Sequence, residues 1–221
     1  MADSTLLKSS VAKKVAMALS GLFLILFLAQ HCFINSTSLF SPDTFNSISH
    51  FMGYNPLVQF VIQPILIIGV LFHFVMGFVL QYQNRTARPV GYASYNGGAN
   101  ASWMSRNMII TGLVILAFLG LHFYDFWIPE MDYKYISQNV PVEDRYFEEL
   151  QHKFVDPIRV GIYLIANVLL ALHLWHGFSS SFQSVGFNNK YSKGLMKFTY
   201  AFSVFVPLMF CVVAVVHHFA H

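Results

Sequence analysis

Charge is what this sequence has least of: Asp, Glu, Lys and Arg make up only 10% of its 221 residues, against about 25% in ordinary soluble domains. A chain so poor in charge, 56% apolar and 17% aromatic with a mean hydropathy of +0.54, is composed for a bilayer. Thirteen Lys and Arg exceed ten Asp and Glu by only three, which leaves no concentrated positive field and excludes nucleic acid as a partner. Cysteine is nearly absent as well. Cys32 and Cys211 both lie inside apolar stretches, so neither a disulfide framework nor a Cys-based metal site is indicated.

Five stretches carry no Asp, Glu, Lys or Arg: Val15 to Ile34, Pro56 to Asn84, Asn107 to Tyr124, Val160 to Asn189 and Phe198 to His221. Each is close to or longer than the roughly 20 residues that a helix needs to cross a hydrocarbon core of about 30 Å. The expected fold is therefore all-α: one multi-pass membrane domain over 1–221, a bundle of five transmembrane helices at roughly 15–35, 56–83, 106–128, 157–184 and 197–219. The first run, preceded by Lys8, Lys13 and Lys14, is too long for a signal peptide and ends without a small-residue cleavage motif.

Nine basic residues, Lys8, Lys13, Lys14, Arg85, Arg88, Arg106, Lys190, Lys193 and Lys197, fall on one side of this arrangement. By the positive-inside rule that side is cytoplasmic, with the amino terminus inside and the carboxyl terminus outside. The other side holds a 36–55 loop without Lys or Arg and an acidic 125–159 loop beginning at Asp125. Within the latter, Tyr146 to Leu150 reads as a short surface helix. So little chain remains outside the bilayer that any large catalytic domain belongs to another polypeptide.

Histidine is plentiful, and four histidines sit deep in four different spans: His31, His73, His122 and His173. Ionisable residues within spans are costly and mark function by default. Counted from Val15, Pro56, Arg106 and Pro157, they lie 16, 17, 16 and 16 residues into their helices. Alternate helices run in opposite directions, so equal depth groups His31 with His122 toward the outside and His73 with His173 toward the cytoplasm. At about 1.5 Å per residue the two levels stand roughly 18 Å apart in a core of about 30 Å. An internal echo accompanies the pairing: Ser20-Gly21 precedes His31, and Thr111-Gly112 precedes His122, at the same spacing.

Paired neutral imidazoles from facing helices are what axial ligation of haem iron requires. Zinc sites want three or four protein ligands, and Cys-x-x-Cys-His, the covalent c-type attachment signal, does not occur. Two non-covalent b-type haems are therefore expected. Gly77 and Gly177 follow His73 and His173 by four residues, on nearly the same helical face. They leave room either for a flat macrocycle or for a closely packed helix. His176 competes with His173 for the fourth ligand position, and His173 is favoured because only it repeats the His-x-x-x-Gly pattern. His176, Ser179 with its neighbours Ser180 and Ser181, Arg88 and Arg106 are candidates for haem propionates, although helix-end polarity is the stronger reading of the serines and topology alone accounts for the arginines. His50 and His152 read as loop residues. His217, His218 and His221 read as a fraying helix end.

Five helices with deep histidines in the first four, one paired with three and two with four, resemble the dihaem cytochrome b membrane subunit of succinate:menaquinone oxidoreductases and fumarate reductases. The likeness extends over nearly the whole chain. It rests on Ser20-Gly21 to His31, His73 to Gly77, Thr111-Gly112 to His122, and His173 to Gly177 followed by Gly186. The resemblance implies that His73 and His173 hold the proximal haem and His31 and His122 the distal one. It further implies a flavoprotein and an iron-sulfur subunit docked on the cytoplasmic face, menaquinone as electron acceptor, and residence in a bacterial cytoplasmic membrane. Some dihaem members carry a glutamate close before the ligand of the fourth helix; Ala171 and Leu172 stand there in this chain.

A quinone carbonyl needs polar groups beside an apolar slot. Near the outer histidines Gln30, Asn35 and Asp125 are the candidates, with helix-end capping as the alternative reading of each. Gln63, beside Pro64, is a further embedded polar position. Two rival functions remain at this stage. One is the cytochrome b subunit of a hydrogenase or formate dehydrogenase, and the other is a haem-free transporter or anchor with histidines as interhelical hydrogen-bond glue.

Overall fold

The structure is a computed structural model that describes residues 9–86, 103–187 and 192–220. Among the described residues every regular element is helical. The helices are α1 (Ser10–Thr37), α2 (Pro42–Tyr54), α3 (Val58–Thr86), α4 (Met108–Ile136), α5 (Arg145–Lys153), α6 (Pro157–Ser184) and α7 (Ser192–Phe219), with one isolated turn, Trp103–Arg106, before α4. Five of them, α1, α3, α4, α6 and α7, are 28 or 29 residues long and apolar enough to cross a membrane, and the chain is a multi-pass all-α membrane protein.

These helices outrun the expected boundaries: α1 begins at Ser10 and not near 15, α4 continues to Ile136 and not 128, and α7 begins at Ser192 and not 197. Charge-free runs mark only the hydrocarbon crossing. The helix continues past it because its backbone groups remain best satisfied internally. Large apolar side chains such as Leu26, Phe33, Phe60, Ile68, Ile158 and Phe205 point outward and are exposed, as a lipid-facing perimeter requires.

Helix α6 is the centre of the bundle, packed against α7, α4 and α1, while α3 lies at the edge and rests chiefly on α1. No residue of α3 is buried. The contact of α3 with α1 is close where it exists: a Cβ placed on Gly69 would stand 2.7 Å from Phe23 Cε1. Gly69→Ala is accordingly expected to cost about 1–3 kcal/mol through overpacking, read as a lowered midpoint of thermal unfolding in detergent.

Two prolines explain two local widenings. Pro64 and Pro129 have no N–H to continue an α-helix, and a π turn precedes each. Val58–Ile62 closes with Gln63 N–H donating to Val58 O, and Phe123–Trp127 with Ile128 N–H donating to Phe123 O.

The 36–55 segment, expected as a loop, holds α2. Ser41 caps it by accepting the Thr44 N–H at 3.2 Å, and Pro42 occupies its first position. Together with α5, it caps one end of the bundle. Buried Asn46 links the two, its Oδ1 accepting the Phe147 N–H at 2.8 Å and its Nδ2 donating to Asp144 O at 3.1 Å. Beneath them Phe45, Leu150, Phe154, Tyr163, Val213 and Ala214 form an apolar core. A charged knot closes the rim: Arg145 lies between the rings of Tyr133 and Tyr146, at 4.1 and 4.3 Å from their centroids, and ion-pairs with Glu130 and Glu149. Lys134 joins Glu130 as well.

Three expectations about histidine are corrected at this capped end. His50 lies in α2, half-buried and stacked on Tyr54 at 4.7 Å. His152 lies in α5. His217 is 2% exposed and bonded through Nε2 to Ser38 Oγ at 2.9 Å, while His218 Nδ1 lies 2.8 Å from Phe154 O. The end of α7 is thus fastened to α1 and to the residue that closes α5. His221 lies outside the described residues.

Candidate functional site

Toward the uncapped end, His73 of α3 faces His173 of α6, with ring centroids 6.4 Å apart and planes inclined at 67°. Ser20 Oγ on α1 lies 3.1 Å from His73 Nδ1, and Thr111 Oγ1 on α4 lies 3.1 Å from His173 Nδ1. Each hydroxyl donates its single proton to a carbonyl one turn back, Ser20 to Met17 O at 2.8 Å and Thr111 to Met108 O at 3.0 Å. The hydroxyl oxygens therefore accept the Nδ1–H of the histidines. That fixes the tautomer and leaves each Nε2 an unprotonated donor, the arrangement of a metal-binding imidazole.

The glycines beside these hydroxyls supply the space. A Cβ on Gly21 would lie 3.5 Å from His73 Cε1, and one on Gly112 would lie 3.7 Å from His173 Cε1. A Cβ on Gly77 would lie 3.7 Å from Met17 Cε, and one on Gly177 would lie 3.5 Å from Met108 Cε. The same five-residue unit, Met, hydroxyl, Gly and the His and Gly of the neighbouring helix, thus occurs twice.

Toward the capped end, His31 of α1 meets His122 of α4 with ring centroids 5.7 Å apart and planes at 87°. Their surroundings are aromatic: Phe27 and Phe210 lie 5.4 and 5.5 Å from His31, Phe118 and Phe126 lie 5.9 and 5.2 Å from His122. Asn35 Nδ2 donates to His31 O at 2.9 Å and lies 3.5 Å from His31 Nδ1. Tyr163 OH lies 3.5 Å from His122 Nδ1 and donates to Asp125 Oδ2 at 2.9 Å, where Arg159 Nε also approaches to 3.5 Å.

Both pairs suit a metal held between two imidazoles. Nitrogens about 2 Å from a metal on opposite sides place ring centroids roughly 6 Å apart. Among the described residues no cluster of three or more His, Cys, Asp or Glu is gathered for a metal ion, so the donors come in twos. The helices that carry partnered histidines, α1 with α4 and α3 with α6, do not pack closely along their lengths, whereas α1 packs on α3 and α4 on α6. The partnered imidazoles therefore meet between helices that are not themselves packed side by side.

The other candidate residues are distributed unevenly. His176 is half-buried one turn beyond His173, and it is His173 that faces His73. Ser179 is buried, its hydroxyl bonded to the carbonyls of Trp175 and His176 in its own helix. Arg106 is exposed at the uncapped end, and Arg88 lies outside the described residues. Gln30 is exposed, 3.6 Å from Met52 Sδ. Asn35 is held on the His31 carbonyl, and Gln63 is half-buried beside its π turn. Asp125, expected at the start of the outer loop, is instead 1% exposed within α4. Sequence reasoning overlooked Tyr163 and noted Ser20 and Thr111 only as part of an echo. The signal was present in the repeat Met17 to Gly21 and Met108 to Gly112, since a hydroxyl beside a glycine facing a helix partner can reach a ring nitrogen.

Comparison with protein-family models, with curated proteins and with solved structures finds no match to this chain.

Proposed function

We propose that the chain is the dihaem cytochrome b membrane anchor of a succinate:menaquinone oxidoreductase or fumarate reductase, with His73 and His173 holding one b haem and His31 and His122 the other. The observation that carries this reading is the pair of partnered histidines at two depths, with the open-end pair held through Nδ1 so that Nε2 is free to bind. Haem, when bound, supplies a one-electron carrier at each level. The chain's own residues do the rest. Ser20 and Thr111 orient the open-end imidazoles, and the phenylalanines around His31 and His122 keep water from the capped-end pair.

The basic residues flanking the uncapped end support a cytoplasmic location for it by the positive-inside rule, and an iron-sulfur subunit and a flavoprotein would dock there. Menaquinone would then react near the capped end, outside, with Asp125 and Asn35 beside the imidazoles. An electron moving from the uncapped toward the capped end crosses part of the membrane field, worth about 2.3 kcal/mol per charge per 100 mV for a full crossing. A negative interior favours that direction and helps succinate oxidation by a low-potential quinone. The specific enzyme rests on the resemblance in the arrangement of helices and histidines.

Purification of the tagged chain from its native membrane tests the assignment. A flavoprotein and an iron-sulfur subunit are expected to accompany it, with b-type absorbance reducible by succinate. A molybdenum or nickel enzyme in their place would assign the chain to a formate dehydrogenase or hydrogenase. The absence of any redox partner and any haem would leave a transporter or anchor.

A further inference from the structure

The four candidate ligands differ in what stands behind them. His73 and His173 each rest on a neutral hydroxyl, and His31 has the Asn35 amide beside it. His122 alone is backed by an anion: Tyr163 spends its single proton on Asp125 Oδ2, so only a phenol lone pair faces His122 Nδ1. Asp125 lies three residues beyond His122, inside the π turn of α4. Asp125 is 1% and Tyr163 6% exposed, so this chain of hydrogen bonds runs where water does not screen it and each bond polarises the next. Arg159 Nε approaches the same Oδ2 at 3.5 Å, and its side chain is partly exposed. It forms an ion pair with the carboxylate. Among the described residues Asp125 Oδ1 has no hydrogen-bond partner, and the carboxylate's hydrogen bonding is directed through Oδ2.

We infer that Asp125 and Tyr163 form a positioning relay that makes His122 the most electron-rich of the four imidazoles and lowers the reduction potential of the centre bound between His31 and His122. An imidazole whose Nδ1–H leans toward a phenol oxygen polarised by a carboxylate donates more strongly from Nε2, and stronger donation favours the more highly charged, oxidised metal. The inference rests on the proposed haem ligation. It concerns tuning, because neither Asp125 nor Tyr163 supplies a ligand.

The test is a potentiometric titration of the b-type absorbance in the intact membrane complex, with Asp125→Asn, Tyr163→Phe, the double variant and Thr111→Val. Asp125→Asn and Tyr163→Phe are each expected to raise the midpoint of the same one of two haems. A tenfold change in that haem's reduction equilibrium reads as 59 mV for one electron. The double variant should move it no further than the larger single change, because both act along one path. Thr111→Val should move the other haem. Unchanged midpoints in both single variants, with two haems still bound, would overturn the relay. So would a shift with Asp125→Asn and none with Tyr163→Phe, which would make Asp125 a through-space charge. A wild-type complex with no haem is a separate outcome, which refutes the ligation itself.

Discussion

Replacing His173 with alanine is expected to remove one of two b haems, halving the haem content of the purified protein, while His176→Ala leaves both in place. The two residues are one helical turn apart, yet only the His173 ring stands opposite His73, at 6.4 Å, with its Nδ1 tied to Thr111. Without His173 the iron would keep a single imidazole from α3, a helix with no buried residue that rests chiefly on α1. One bond to so loosely held an element leaves little to retain the group. His73→Ala should produce the same half-loss, and His31→Ala or His122→Ala should remove the other haem. Haem quantified against protein, with the reduced-minus-oxidised spectrum, distinguishes the cases. A half-loss with His176→Ala, with none from His173→Ala, would move the fourth ligand by one turn.

The second large effect lies at the cap and does not depend on any cofactor. Arg145→Ala is expected to cost about 2 kcal/mol, because it takes from Glu130 one of its two cationic partners, removes the pair to half-exposed Glu149 and empties the space between two tyrosine rings. The guanidinium is only 12% exposed. Burial works against its charge, but hydrogen bonds to Glu130 and Glu149 more than offset this and hold it protonated beyond the ordinary arginine value. Its folded pKa is raised, so the contribution to stability is fully present below the unfolded value and is lost only as pH rises far into the alkaline range. The cost of Arg145→Ala should therefore be the same at pH 6 and pH 9 as far as Arg145 ionisation is concerned. Burial, and then the Glu130 charge, push the Tyr146 phenol upward too, so it stays protonated over that range. Arg145→Lys should recover little, since an ammonium lacks the planar fork that meets two carboxylates and two rings. Limited proteolysis between α4 and α5, with thermal unfolding in detergent, reads both effects.

Much of the architecture could be read from the pattern of charge alone. Five charge-free runs mark five crossings because a buried charge in hydrocarbon is expensive enough to leave a clean signal. Equal depth grouped His31 with His122 and His73 with His173, and those rings stand 5.7 and 6.4 Å apart. Depth could do this because a straight helix converts residue number directly into height. What stayed hidden depends on rotation and on tertiary cover. Helix α2 carries Asp43, Asn46 and Ser47 among few apolar residues, and it forms because Phe45 and Asn46 have α5 to pack on. His217 looked like a frayed end until Ser38 lay beside it. Asp125 looked like the first acid of a solvent loop because Asp132, Glu143 and Asp144 follow it, whereas α4 runs on for another eleven residues and carries it inside. Its partner Tyr163 lies 38 positions away, beyond any local pattern.

The central claim is that these histidines are haem ligands, and the most direct test is a pyridine haemochrome assay on the purified wild-type protein, with haem counted against chain. The account predicts a b-type spectrum and two haems per polypeptide, all of it extractable by acid acetone because no covalent attachment motif is present. A protein purified intact from haem-replete cells with no b-type absorbance would contradict it, and the four half-buried imidazoles would then be bonds between helices.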